Sequence, residues 1–197
     1  MMKNSEWGAV AYLSHSEYGT NKEIRINNYY NNNEYLTGCG ANTENESSSN
    51  TCGIVYGNAT TYPQSTTGNV TGIFDMSGGA YEYVMGYYSG ASTTWGATSS
   101  NNNAGFSSKP ASKYFDDYMT TNPLTACNGG MCYGHGLSEV KKWYGDFTHF
   151  VGARSPWFKR GGFSYSDAYA GAFGFVNDDG SAGVNSGFRS VVSFVGA

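Results

Sequence analysis

Two glycine-containing blocks in the last forty residues, Lys159-Arg160-Gly161-Gly162 and Gly187-Phe188-Arg189, bracket a segment that limits the architectures open to this chain. Residues 161–188 hold Phe163, Tyr165, Tyr169, Phe173 and Phe175 among Ser164, Ser166, Asp167, Asn177, Asp178, Asp179 and Ser181, with no Lys, Glu, Gln, Met or Trp. Rigid aromatics beside small adaptable polar residues are the mixture that antigen-binding loops use to cover varied ligands at low entropic cost. A glycine-rich, turn-rich end of a β domain has the same composition, so both readings stand at this point.

The 197 residues fit one domain, residues 1–197, long enough to bury a single substantial core. With 28 Gly, 17 Tyr, 16% aromatic and 13% charged residues, the chain is too apolar to be disordered and too rich in glycine to be mainly helical. The net charge of -4 and the scattered Lys and Arg, clustered only at Lys141-Lys142 and Lys159-Arg160, disfavour nucleic-acid binding. No apolar run is long enough to span a bilayer, and the first residues lack the apolar centre of a signal peptide. A start directly on a helix-like pattern points to an upstream export, pilin-like or anchoring segment. Cys39 and Cys52 flank one polar loop and Cys127 and Cys132 another, so two local disulfides are expected ahead of free thiols. A zinc site ranks behind both, because neither spacing is Cys-x-x-Cys and His15, His135 and His149 show no ligand spacing.

Near the start, Trp7, Val10, Ala11 and Ser14 recur at helical spacing, with Ser5 as the expected N-cap and an end near Gly19. Residues 27–69 are dominated by Asn, Thr, Ser and Gly and read as long surface loops. Ser77-Gly78-Gly79 reads as a turn leading into the strand-like run Ala80-Tyr81-Glu82-Tyr83-Val84-Met85-Gly86. Tyr114, Phe115, Tyr118 and Met119 form an amphipathic patch that Asn122-Pro123 breaks. Trp143-Tyr144-Gly145-Asp146 and Pro156-Trp157-Phe158 add large aromatics, and Val191, Val192, Phe194 and Val195 predict a short closing strand.

Three separated blocks, Gly72-Ile73-Phe74-Asp75-Met76-Ser77-Gly78-Gly79-Ala80-Tyr81-Glu82-Tyr83, Arg160-Gly161-Gly162 and Gly187-Phe188-Arg189, together resemble the signature of the formylglycine-generating enzyme superfamily. The resemblance covers roughly residues 70–197. It implies an α+β, C-type-lectin-like fold, loop-rich, with small twisted antiparallel sheets and a few short helices. Asp75, Glu82, Arg160 and Arg189 would then make buried framework contacts, since charges set in aromatic runs need partners. Glu82 is expected to pair with Arg189 or Arg160.

Catalytic members of that superfamily oxidise a substrate cysteine with a cysteine pair placed between the second and third blocks, and this chain has no cysteine there. Without that thiolate pair the family's copper and redox chemistry has no ligands. The segment instead resembles the variable region of non-catalytic relatives diversified by a retroelement that mutates template adenines, found on phage, bacterial surfaces and pilus tips. Such templates start from Asn codons, from which Lys, Glu, Gln, Met and Trp cannot be reached. By this resemblance the ligand-binding side chains are Phe163, Tyr165, Ser166, Tyr169, Gly174, Asn177 and Asp178, with Ser164, Asp167 and Val176 as weaker candidates. Ala170-Gly171-Ala172-Phe173 and Phe175 would be framework. No cofactor is expected, and calcium at Asn177, Asp178 and Asp179 would rest on a weak ligand set. The implied partner is a variable cell-surface protein or glycan, met outside the cell or on a virion. The alternatives are an oxidase of the formylglycine-generating type and a carbohydrate-binding adhesin of fixed specificity.

Overall fold

A computed structural model describes residues 1–27, 59–88, 110–118 and 142–192 of the chain. They form a loop-rich α+β arrangement: one helix, α1 (Asn4–Ser14), and five strands, β1 (Tyr81–Tyr88), β2 (Asp116–Tyr118), β3 (Trp157–Gly161), β4 (Gly171–Asp178) and β5 (Ser186–Phe188). The strands make one sheet in the order β2-β1-β3-β4, with β5 also on β1. The sheet is mixed where antiparallel sheets were expected: β1 pairs antiparallel with β3 but parallel with both β2 and β5. A long connection separates β1 from β2, and β2, β3 and β4 intervene between β1 and β5, as the crossover of a parallel pair requires.

Period-two alternation along β1 sends Val84 and Tyr88 to one face and Met85 and Tyr87 to the other. Val84 packs with Trp7, Ala11, Met76, Phe158, Phe173 and Phe175 in the main core, while Met85 and Tyr87 join Phe115 and Trp157 in a second cluster. Both faces are therefore covered, which explains why β1 reads as a nearly continuous apolar and aromatic run.

The helix lies against the main core with Trp7, Ala11 and Ser14 buried, as its spacing predicts, and Val10 packs beside them. Its N-cap is Lys3 rather than Ser5. Ser5 sits in the first turn, where its backbone N–H and hydroxyl donate to the Asp116 carboxylate at 2.6 and 3.1 Å. Asp116 thus brings a negative charge to the positive end of the helix, an arrangement that the spacing of Ser5 alone does not reveal. The helix stops at Ser14, short of Gly19. Ser14 Oγ and Ser16 Oγ bond back to the carbonyls of Ala11 and Leu13, both at 2.6 Å, and compete with its continuation.

The charged frame resolves into two separate arrangements. Arg189 forks onto both Glu82 oxygens, with Nε 2.5 Å from Oε2, and also donates to the carbonyls of Phe74 (3.2 Å) and Asp75 (3.1 Å). Arg160 stands opposite Glu82 in the strand register yet does not pair with it. Its guanidinium is wholly buried between the rings of Trp7 and Phe175, at 5.9 and 5.6 Å, and reaches Asn4 Oδ1 and the Ala172 carbonyl, each at 3.4 Å. Burial lowers its pKa to about 10, leaving it charged at neutral pH. Trp7, whose indole N–H donates to the Ala172 carbonyl at 2.8 Å, packs against both arginines. Asp75 accepts from Asn27 Nδ2 at 2.6 Å.

Two further expectations change. The polar stretch before residue 70 is not all surface loop: Ala59–Gln64 is a 3-10 helix, and Thr61, Gln64, Ser65 and Thr66 are buried. Thr66 is tied to Ile73 through its backbone and its hydroxyl, so polar residues fill interior space by bonding to the chain. Val191 and Val192 are exposed and outside any strand; the last strand among the described residues is β5, and Met2 N–H binds the Arg189 carbonyl directly after it. Phe194, Val195, Met119, His135 and all four cysteines, with both proposed disulfides, lie outside the described residues.

Candidate functional site

The second block is required by backbone geometry. Gly161 and Gly162 have φ of 85° and 76°, in the left-handed region that costs a side chain dearly. A Cβ on Gly162 would also lie 2.6 Å from that of Ala170. The paired glycines turn the chain off β3 into a short 3-10 helix (Ser164–Tyr169), and β4 returns it antiparallel to β3 across a register shift at Arg160 and Gly161.

This excursion walls a cavity of about 470 Å³. Phe163, Ser166 and Tyr169 line it from the excursion, and Gly174, Phe175 and Val176 from β4. Tyr81 and Phe147 close it from elsewhere in the chain, with Gly162 also contributing. Phe163 stacks against Tyr81 with ring centroids 5.0 Å apart, and its backbone N–H donates to Ser166 Oγ at 3.1 Å. Ser166 Oγ is 3.4 Å from the Tyr81 hydroxyl. Opposite, the N–H of Phe147 binds the Tyr169 carbonyl at 2.9 Å, and the N–H of Phe175 binds the Phe147 carbonyl at 3.0 Å. Tyr169 and Phe147 remain 64% and 48% exposed, which leaves two aromatic rims facing solvent.

Five sequence-derived candidates, Phe163, Ser166, Tyr169, Gly174 and Val176, meet at this cavity. Asn177 and Asp178 do not line it. The Asp178 carboxylate is held by Lys159 Nζ at 2.5 Å, by the Tyr83 hydroxyl and by the Gly180 N–H at 3.0 Å. Burial, then the Asp178 contact, pushes the Tyr83 phenol far above its ordinary range. Asp179 Oδ1 accepts from the Ser181 N–H at 2.9 Å. Among the described residues no three His, Cys, Asp or Glu side chains are grouped to hold a metal ion. The side chains of Ser164, Tyr165 and Asp167 lie outside those described.

The cavity also uses residues that sequence reasoning assigned to framework or passed over. Tyr81 and Phe175 were read as structural, and nothing in the sequence tied Phe147 to the segment. Beneath Phe147 lies Asp146, 1% exposed, whose Oδ2 accepts the Phe173 N–H at 2.9 Å. Its Oδ1 has no partner, and a Cβ on Gly171 would stand 2.0 Å from both oxygens, so the carboxyl fills the space that glycine leaves. Burial raises its pKa to about 7; Glu23 adds to the rise, while the Phe173 and Gly174 N–H groups and Arg160 oppose it. Asp146 thereby pins the start of β4 under the cavity.

Comparison with protein-family models, with curated proteins and with solved structures finds no match.

Proposed function

We propose that the chain is a ligand-recognition domain with a C-type-lectin-like fold of the formylglycine-generating type. It belongs to the non-catalytic branch whose variable segment a retroelement diversifies. The observation that carries this reading is the convergence of Phe163, Ser166, Tyr169 and Gly174, four of the seven positions named from the resemblance to diversified proteins, on one aromatic-walled cavity. An aromatic-lined concavity with a few polar groups is the usual form of a recognition site. The remaining support is a partial separation of roles: Glu82 and Arg189 tie β1 to the end of β5 without lining the cavity, while Arg160 backs it from behind Phe175. The cysteine-free interval between Arg160-Gly161-Gly162 and Gly187-Phe188-Arg189 favours binding over oxidation. The partner is a protein or glycan on another cell surface, met by a domain displayed on a bacterial surface, a pilus tip or a phage.

Sequencing the locus in several isolates tests the reading. A neighbouring reverse transcriptase and a near-copy of the 3' coding segment are expected, with substitutions confined to template adenines and falling on the cavity positions. An invariant segment without that cassette assigns a fixed-specificity adhesin instead.

A further inference from the structure

The sheet face bearing Asp178 carries a second constellation beside the aromatic cavity. Lys159 stands directly opposite Tyr83 in the β1-β3 register, with Tyr81 two residues along the same face. Its ammonium lies over both rings, 5.0 Å from the Tyr81 centroid and 5.3 Å from that of Tyr83. Tyr81 belongs to the wall of the aromatic cavity, while Tyr83 lines another of about 470 Å³ together with Gly180, Gly183 and Phe188. The ammonium therefore sits on the ridge between two concavities. Asp178, next to the turn at Gly180, supplies its counter-charge from β4.

We propose that Lys159, Tyr81 and Tyr83 form an anion-binding site that the chain's own Asp178 keeps filled. Residue 178 then sets whether this face accepts a carboxylate, sulfate or phosphate group. A lysine fixed against two aromatic faces has already lost much of its rotational freedom, so capturing an external anion costs little further ordering. The Asp178 carboxylate shows the geometry that such an anion would adopt: one oxygen on Nζ, the other on the Tyr83 hydroxyl and the Gly180 N–H. Replacing Asp178 by a short neutral residue would free Lys159 Nζ and the Gly180 N–H, leave the Tyr83 hydroxyl on the Ser181 carbonyl at 2.7 Å, and remove one of the two carboxylates, Asp178 and Asp179, that lie near this ridge. The importance of this for ligand choice rests on the proposed recognition role, whereas the anion capture stands without it.

The test compares the full-length wild type with D178S and with the double variant K159M/D178S. Sulfate, phosphate and acetate are each titrated against chloride at equal ionic strength, with thermal unfolding and heat of binding as readouts. Saturable binding at least tenfold tighter in D178S than in wild type, and lost in K159M/D178S, is the expected result. The tightest anion identifies the source, acetate standing for carboxylates and the other two for sulfated or phosphorylated groups. General salting effects of sulfate stabilise all three proteins alike and are subtracted by the double variant. The same anion dependence in all three proteins overturns the proposal, as does binding that survives loss of Lys159. If D178S does not fold, D178N, whose Oδ1 still receives the Gly180 N–H, is judged by the same criteria. A positive result in a chain whose locus lacks a diversifying cassette would leave the anion site standing and remove only the diversification reading.

Discussion

Replacing Asp146 by asparagine should abolish a pH dependence of stability that runs opposite to that of most carboxylates. A carboxyl whose pKa is higher in the folded chain holds its proton more tightly there, so the native state carries the extra proton between about pH 4 and pH 7. Stability from this group is fully present below the unfolded value, falls as pH rises through that window, and is fully lost above the folded value. From an ordinary 3.8 to about 7, at about 1.36 kcal/mol per pH unit, the loss is at most about 4 kcal/mol. The informative quantity is the difference between D146N and wild type, in which the titration of every other group cancels. Asparagine keeps an oxygen for the Phe173 N–H, and its amide adds only a pH-independent offset. Urea unfolding followed by tryptophan fluorescence from pH 4 to 8 should show D146N gaining on wild type by several kcal/mol, most steeply between about pH 4.5 and 6.5. A difference curve flat to within about 1 kcal/mol would refute a buried, proton-holding Asp146.

R189A should destabilise the fold by about 3 kcal/mol, because it leaves Glu82 largely buried without its fork and frees the Phe74 and Asp75 carbonyls. A fall in the urea midpoint at unchanged slope would register it, and a loss below about 1 kcal/mol would contradict the frame described. G171A should cost about 2 kcal/mol or more, since its new methyl meets the Asp146 carboxyl at 2.0 Å where no flexible end can yield. Thermal unfolding measures it, and an unchanged midpoint would place Asp146 elsewhere.

What could be read in advance follows the range over which each feature is determined. The helical face of Trp7, Ala11 and Ser14 and the turn at Gly78-Gly79 are local, and spacing and glycine chemistry were sufficient. The choice between Arg160 and Arg189 for Glu82 was not, because it depends on how three strands register. Arg160 is the cross-strand neighbour of Glu82, yet its guanidinium goes to the Trp7 side, while Arg189 arrives from the end of β5. Tyr81, Phe147 and Asp146 escaped for the same reason, being brought to the cavity by contacts across long stretches of chain.

Composition marks out the segment 161–188 but does not divide it by face. Along β4, Val176 and Asp178 share one side of the sheet with Lys159, and Phe175 and Asn177 point to the other. Strand register sets Phe175 and Asn177 apart from Val176 and from the ion pair at Asp178. Asp178, which the resemblance made a ligand contact, has its carboxylate occupied by Lys159 and Tyr83. A substitution at 178 would free Lys159 as well as alter its own side chain, so on the proposed recognition role variation at one site would be expressed chemically at another.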